Sequence, residues 1–366
     1  MIRLSKSVIG NEEIKAVTKV LQEEFLGMGT ETQKFENELS SFFNRETVCV
    51  NSGTAALHLA LQAVGINKGD EVLVQSLTFL ASFQAISATG AKPIPCEINE
   101  ETFTIDLKDA ASKITAKTKA IMPVHYASNV GDLNAIYSFA KKNKLRVIED
   151  AAHAFGTFYK ERLIGSFGDI VCFSFDGIKN ITAGEGGAVV SNDKDVIQRI
   201  KNLRLLAVEN DSALRYKNKR TWDSNVIEQG WRFHMSNIMA AIGRVQLKRF
   251  DTFKRKRQSL ALQYSNKLSK VKYIKIFDFD FTKIVPHIYV IRILNGQRDV
   301  IKQQLLEKGI QTGIHYKPNH LLDFYKGDFE LMNTEQYYSE ILTLPLHPDL
   351  SKADINYICT SLKALL

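Results

Sequence analysis

The chain has 366 residues, 45% of them apolar and only 7 proline, so a sizeable core is available and the length predicts two or three domains, or one large domain with a smaller appendage. The opening stretch MIRLSKSVIGNEEIKAV lacks the apolar centre of a signal peptide, and no apolar run approaches the roughly 18 residues of a membrane span, which makes a cytoplasmic location the default expectation. A net charge of +8 would suit nucleic acid, but no zinc-finger, helix-turn-helix or aromatic RNA-binding signature accompanies it, and attraction of anionic small molecules accounts for it equally well.

In chain order, a helical pattern from Glu12 to Glu24 is followed by the glycine-marked turn F-L-G-M-G-T at 25–30 and a second amphipathic helix from Thr32 to Phe43. V-C-V-N-S-G-T-A-A-L-H-L reads as a strand to Val50, a tight turn and a helix from about Thr54 to Val64. Backbone N–H groups and hydroxyls at such a helix N-terminus favour phosphate, although Ser and Thr there are also ordinary caps. A strand at 71–75 leads to a helix from about 78, where Phe79 could stack on a planar ring or simply join the core. Strands at 91–98 and 119–126 and a helix from Asp132 to Lys144 continue a β-α alternation, which predicts a parallel or mostly parallel sheet covered by helices on both faces.

Val147 and Ile148 then predict a buried strand whose carboxyl end delivers Glu149 and Asp150, at the sheet edge where ligands gather. A hairpin-like segment separates it from a second apolar strand, Asp169 to Phe175, and a strand from Gly187 to Ser191 follows. Beyond a helix from Asp195 to Arg204, the charged stretch from Glu209 to Asp223 reads as a long exposed loop. Order returns at G-W-R-F-H-M-S-N-I-M at 230–239 and runs into a long helix from about Ser236 to Leu268, whose KRFDTFKRKR segment marks a solvated face. A smaller unit closes the chain. It comprises a strand at 288–294, a helix from Arg298 to Lys308, a strand at 310–316 and a final helix opened by the capping box Ser351-x-x-Asp354. Cys49, Cys96, Cys172 and Cys359 are scattered and read as reduced core residues, so neither a metal site nor a disulfide frame is expected.

The chemistry concentrates between Val147 and Asn192. An acid at a strand end, Asp150, and a lysine among small residues, Lys179, together suit pyridoxal phosphate. The amine condenses with the cofactor aldehyde, and the carboxylate keeps the pyridine nitrogen protonated so that the ring withdraws electrons. Taken singly, Asp150 also fits a helix cap and Lys179 a solvated surface charge. Ser174 is an odd polar choice inside the apolar strand V-C-F-S-F and needs a partner. His153, near a strand end, fits a hydrogen-bonded structural residue.

The words E-D-A-A-H-A-F-G at 149–156, G-S-F-G-D-I at 165–170, C-F-S-F at 172–175 and K-N-I-T-A-G-E-G-G-A-V at 179–189 resemble, in order and spacing, the aminotransferases that act on nucleotide-linked keto sugars, the DegT/DnrJ/EryC1/StrS family. The resemblance covers nearly the whole chain. It implies an α/β protein of the pyridoxal-phosphate-dependent transferase fold type I, like aspartate aminotransferase. A large mixed-sheet domain would span residues 1–245, and a smaller C-terminal α/β domain, beginning with the long connecting helix, residues 246–366. It implies Lys179 and Asp150 as catalytic residues and Gly53, Thr54, Ala55 and Ser174 as phosphate-binding residues. Phe79 would stack on the cofactor ring and His153 would lie near its phenolic oxygen. H-Y-K-P-N-H at 315–320 matches the family's H-Y-x-P-x-H and makes His315, Tyr316 and His320 substrate contacts, although a plain Pro-containing turn fits the same residues. Relatives carry G-Y-N-Y-R-M where this chain has G-W-R-F-H-M, so Arg232 stands at the position of an Asn that reaches the other subunit's cofactor phosphate, and His234 replaces an Arg. The implied reaction moves an amino group from L-glutamate to a nucleotide-linked keto sugar, carried out by a homodimer with shared sites and serving cell-surface polysaccharide or glycan precursor synthesis. Relatives that dehydrate the sugar replace the lysine by histidine, which Lys179 argues against. A non-catalytic binding module would not need the set Asp150, His153, Ser174 and Lys179.

Overall fold

The computed structural model describes residues 1–219, 225–226 and 228–366. Helices α1 (Asn11–Gln22) and α2 (Thr30–Phe43) precede strand β1 (Thr47–Val50) and helix α3 (Gly53–Ala63). Then come β2 (Glu71–Gln75), α4 (Leu80–Ala88), β3 (Lys92–Cys96), α5 (Leu107–Ser112), β4 (Thr118–Met122), α6 (Leu133–Asn143) and β5 (Arg146–Asp150). A short hairpin, β6 (Phe158–Tyr159) and β7 (Arg162–Leu163), separates β5 from β8 (Ile170–Ser174), as the sequence suggests. β9 (Gly187–Ser191), α7 (Lys194–Leu203) and α8 (Asp211–Arg215) lead to the 32-residue helix α9 (Asn237–Leu268). The chain ends with β10 (Ile274–Ile276), β11 (Tyr289–Ile293), α10 (Arg298–Glu307), α11 (Met332–Glu340), β12 (Ile341–Leu344) and α12 (Lys352–Lys363).

Seven strands form one sheet in the order β1-β9-β8-β5-β4-β2-β3. β9 pairs antiparallel with both β1 and β8, and the remaining pairs are parallel, so the sheet is mixed. Successive strand residues point to opposite faces. Val147, Val171 and Phe173 accordingly pack with Phe35, Leu39 and Phe43 of α2 on one face, while Ile148, Ile170 and Cys172 pack with α3 and α7 on the other. Both faces are dry, which explains why these strands read as continuous apolar runs. A second sheet, β10-β11-β12, is antiparallel and encloses its own core with α12 and the second half of α9. Among the described residues no helix is long and apolar enough to cross a membrane.

Two expectations need correction. The stretch 310–316 is not a strand: Ile310 bridges Ile2 and Gly313 bridges Thr343 as isolated pairs. Gly313 lets the chain pass close to Leu4, since a Cβ there would meet Leu4 Cδ2 at 2.7 Å. The expected loop from Glu209 to Asp223 contains α8, with Asp211 and Ser212 buried, while Asp223 itself lies outside the described residues.

The anchor for α8 is Arg204, fully buried at the end of α7. Its guanidinium donates to Glu36 Oε1 at 2.5 Å, to the Cys49 carbonyl at 2.6 Å, to Tyr216 Oη at 2.7 Å and to Ser212 Oγ at 3.2 Å. Glu36 in turn accepts from the Cys49 N–H at 2.8 Å and from Tyr216. This buried pair ties α2, β1, α7 and α8 together, and charge at 209–219 on paper gave no hint of it. Removing one partner of a buried pair strands the other charge, so Arg204→Met is expected to cost about 3–5 kcal/mol in urea unfolding, and Arg204→Met combined with Glu36→Met to recover part of the loss.

Candidate active site

A cavity of about 400 Å³ opens where the carboxyl ends of β5 and β8 meet the N-termini of α3 and α4. Its walls include Ser52, Gly53, Thr54, Phe79, Asp150, His153, Ser174, Asp176, Lys179, Glu185, His315 and Tyr316. Residues separated by up to 264 positions in the chain thus meet in one place, counting from Ser52 to Tyr316 (316 − 52).

At one end, Ser52 caps α3 by accepting the Ala55 N–H at 3.0 Å. That bond occupies the Ala55 donor, and Ala55 is buried behind the wall. Gly53 and Thr54 remain at the opening of an 11-residue helix, whose first N–H groups have no partner within the helix. Gly53 fits there because a Cβ would meet Ser174 Cβ at 2.8 Å, and Gly187 lets the turn approach because its Cβ would strike the Ser52 carbonyl at 2.4 Å. Ser174 Oγ accepts from the Asp176 N–H at 3.3 Å, and its hydroxyl proton has no acceptor among the described residues. Free donors on a helix N-terminus beside a hydroxyl suit an oxyanion.

At the other end, Asp150 is buried. Its Oδ2 accepts from Ser82 Oγ at 2.7 Å and its Oδ1 from the Ala152 N–H at 3.1 Å. Between the two ends lies Lys179, placed by the turn in which its N–H donates to the Asp176 carbonyl at 3.1 Å. Burial lowers the Lys179 amine to about 8, against the opposing pull of Asp150 and Asp176. His153 Nε2 lies 3.0 Å from Tyr316 Oη, and burial, with Lys179 nearby, holds the imidazole neutral far below its ordinary range. The Tyr316 ring sits 5.4 Å from Phe79, centroid to centroid, and Phe79 stays 49% exposed at the mouth. His315 Nδ1 is 2.9 Å from Thr343 Oγ1, and burial lowers that ring to about 4.

Three of the expected residues stand elsewhere. Ala55 is behind the wall, as noted. His320 is buried beside the site, its Nδ1 2.7 Å from Ser76 Oγ and its Nε2 3.2 Å from Glu335, so in this chain it braces the loop after Tyr316. Arg232 is exposed, with its backbone bridged to Leu205, and does not line this chain's cavity. Conversely, Ser82, Asp176 and Glu185 were not anticipated. Glu185 lies inside the word K-N-I-T-A-G-E-G-G-A-V and Asp176 just after C-F-S-F, so both flank Lys179 in sequence, and Ser82 falls one helical turn after Phe79, a spacing that places both near one face.

The depressed amine has a measurable consequence. In cofactor-free protein, competitive acetylation of Lys179 should follow a midpoint near pH 8, where an ordinary lysine requires about 10.4. The sign for stability follows: between about 8 and the ordinary lysine value of 10.5 the unfolded chain binds more protons at this residue than the folded one, so the burial penalty is relieved as pH rises through that window.

Comparison with known proteins bears on this geometry. The DegT/DnrJ/EryC1/StrS aminotransferase family model matches residues 7–363. The spore coat polysaccharide biosynthesis protein SpsC of Bacillus subtilis is 35% identical over 374 residues, covering 99% of this chain and 96% of SpsC. Among solved structures, Spr1654 of Streptococcus pneumoniae in its PLP form superposes with a TM-score of 0.92 at 29% identity, covering 100% of this chain and 98% of that one. The sugar aminotransferase CalS13 of Micromonospora echinospora gives a TM-score of 0.91 at 27% identity over 100% of both chains. The expected fold type I is therefore present. A family model spanning all but the two ends of the sequence, and a relative this similar along its whole length, show that the chain belongs to the DegT/DnrJ/EryC1/StrS aminotransferase family.

Proposed function

We propose that this aminotransferase uses pyridoxal phosphate to move an amino group from L-glutamate to the keto group of a nucleotide-linked sugar, in the synthesis of polysaccharide or glycan precursors. The observation that carries the reading is the half-buried Lys179 amine, lowered to about 8, in one cavity with Asp150 and the open N-terminus of α3. The residues fit the cofactor: a glycine cradle that any Cβ would fill, an idle Ser174 hydroxyl for phosphate, and a buried carboxylate at the opposite end. When bound, pyridoxal phosphate supplies an aldehyde carbon for amines to join and a ring that takes up electrons.

In this reading the chain's own groups divide the remaining tasks. Gly53, Thr54 and Ser174 bind the phosphate. Asp150 supplies the negative charge that favours a protonated ring nitrogen. Phe79 covers a ring face, and His153 holds the phenolic side. Lys179 Nζ would hold the cofactor through its aldehyde carbon and would carry the proton to and from the reacting carbon, a task suited to an amine poised near working pH. His315 and Tyr316 border the substrate, and His320 supports them. Asp176 and Glu185 accept hydrogen bonds from hydroxyls, which favours a sugar over a small keto acid. Lys179 is the only lysine or arginine among the described lining residues, whereas Asp150, Asp176 and Glu185 are acids.

Anionic substrates then need further cations, and we place Arg232 of the partner subunit there, in a homodimer with shared sites. The guanidinium is permanently charged and can grip phosphate in a bidentate fork. The same reading divides the chain into a large domain of residues 1–245 and a small one of 246–366, with α9 running across the boundary and Ile2 bridging to Ile310 of the smaller unit.

The function is tested by assaying a panel of nucleotide-linked keto sugars with L-glutamate and locating the new amine by NMR; absence of 2-oxoglutarate production with every sugar overturns it. Borohydride treatment of the holoenzyme should tag Lys179, and Lys179→Ala should retain pyridoxal phosphate but lose turnover by at least about 10³-fold. A tag on another lysine would remove Lys179 from the reaction. For the shared site, Arg232→Ala should be strongly impaired, and equal mixtures of Lys179→Ala with Arg232→Ala subunits should recover roughly a quarter of wild-type activity, because half the dimers are mixed and each regains one intact site. A mixture no more active than its parents places Arg232 in its own subunit's site.

A further inference from the structure

We infer that Ser82 is a positioning residue for Asp150, and that with Thr78 it forms a directed hydroxyl relay which fixes the carboxylate against the cofactor ring; the inference rests on the cofactor-binding role proposed for Asp150 above. Ser82 is fully buried on the first turn of α4, and its Oγ lies 2.7 Å from Asp150 Oδ2. Thr78 Oγ1 lies 3.3 Å from the same Ser82 Oγ. A carboxylate only accepts, so the single Ser82 proton goes to Asp150, and the Ser82 oxygen is left to accept from Thr78. The direction of the relay is therefore set by its last member.

The other Asp150 oxygen is held by the Ala152 N–H at 3.1 Å. Two donors, one on each oxygen, determine the plane of the carboxylate, and loss of either frees it to rotate about its χ2 bond, a broad and soft torsion. Ser82 is also the link by which Asp150 feels the rest of the site. Thr78 and Ser76 are gripped from the C-terminal loop, because Asn319 Nδ2 donates to both of their carbonyls, at 2.8 Å and 3.1 Å. Phe79, three positions before Ser82, caps the same helix. One rigid turn thus carries both the aromatic ring at the mouth and the hydroxyl that steers the acid.

The test is a double-mutant cycle on the pyridoxal phosphate dissociation constant of the apoenzyme, with steady-state kinetics alongside. Ser82→Ala is expected to weaken cofactor binding by roughly 10-fold, the lower range for losing a group that orients a ligand-binding residue, and to lower kcat with little change in KM for the amino donor. Ser82→Cys fills the same volume with a weak donor and is expected to show the same loss. In an Asp150→Asn background, Ser82→Ala should change the dissociation constant by less than about twofold, because the interaction it removes is already altered. Restoration by Ser82→Cys would mean that Ser82 merely packs, and full additivity in the cycle would mean that it acts elsewhere; either result overturns the inference. If Asp150→Asn alone leaves cofactor affinity and turnover unchanged, the reading of Asp150 fails instead, whatever Ser82 does.

Discussion

The site depends on how β5 ends. Its last two residues are both acids and both buried, and the alternation of a strand sends them to opposite faces of the sheet. Glu149 turns away from the cavity, where Tyr137 Oη donates to its Oε1 at 2.6 Å and His125 Nε2 lies 2.8 Å from its Oε2. Asp150 turns into the cavity. Its N–H donates to the Pro123 carbonyl and its carbonyl accepts from the His125 N–H, so the strand end is held by the segment just after β4 as well as by β8. A one-residue slip of β5 would exchange the two acids, which is why the register has to be fixed before any chemistry is assembled. The Glu149 network supplies that fixity: a carboxylate this deeply buried is tolerable only where its partners stand.

Much of this was legible in the sequence because the relevant signals are local. Strands that are covered on both faces read as apolar runs, and the acid closing one run and the lysine following the next could be found without coordinates. α9 was legible for the same reason: Ser236 caps it by accepting the Met239 N–H, and its periodicity persists to Leu268. The departures arise where distant contacts outweigh local preference. α8 has only five residues, too short to form in isolation, and exists because Arg204 reaches it from α7. The stretch 310–316 has the composition of a strand but finds partners at only two points. His320 belongs to the same class. Its motif lies beside the cavity, with His315 and Tyr316 in the lining, but whether a side chain enters a cavity or braces its wall is decided by the fold around it.

Lys179 illustrates how the architecture tunes an amine. Its surroundings contain acids that would favour the charged amine, yet burial outweighs them and brings the amine near 8. The same burial pushes the neighbouring His153, His287 and His315 rings down, each further disfavoured as a cation by Lys179. These imidazoles therefore surround the amine without competing for its proton near neutral pH. A lysine flanked by neutral rings and nearby carboxylates can exchange a proton without first breaking an ion pair, since none of the described carboxylates forms a salt bridge with it.

What encloses that amine comes largely from the far end of the chain. Tyr126 donates to the His315 carbonyl, Tyr316 reaches His153, and Asn319 holds the turn at Ser76 and Thr78. These contacts join the walls contributed by the seven-stranded sheet to a loop that leads toward β12. Without the loop, the Phe79 and His153 sides of the cavity would face water, and the desolvation that lowers the Lys179 amine would weaken. The carboxylate and the lysine are thus delivered by the first sheet, but the environment that lowers the lysine amine is completed only where the C-terminal segment lies over it.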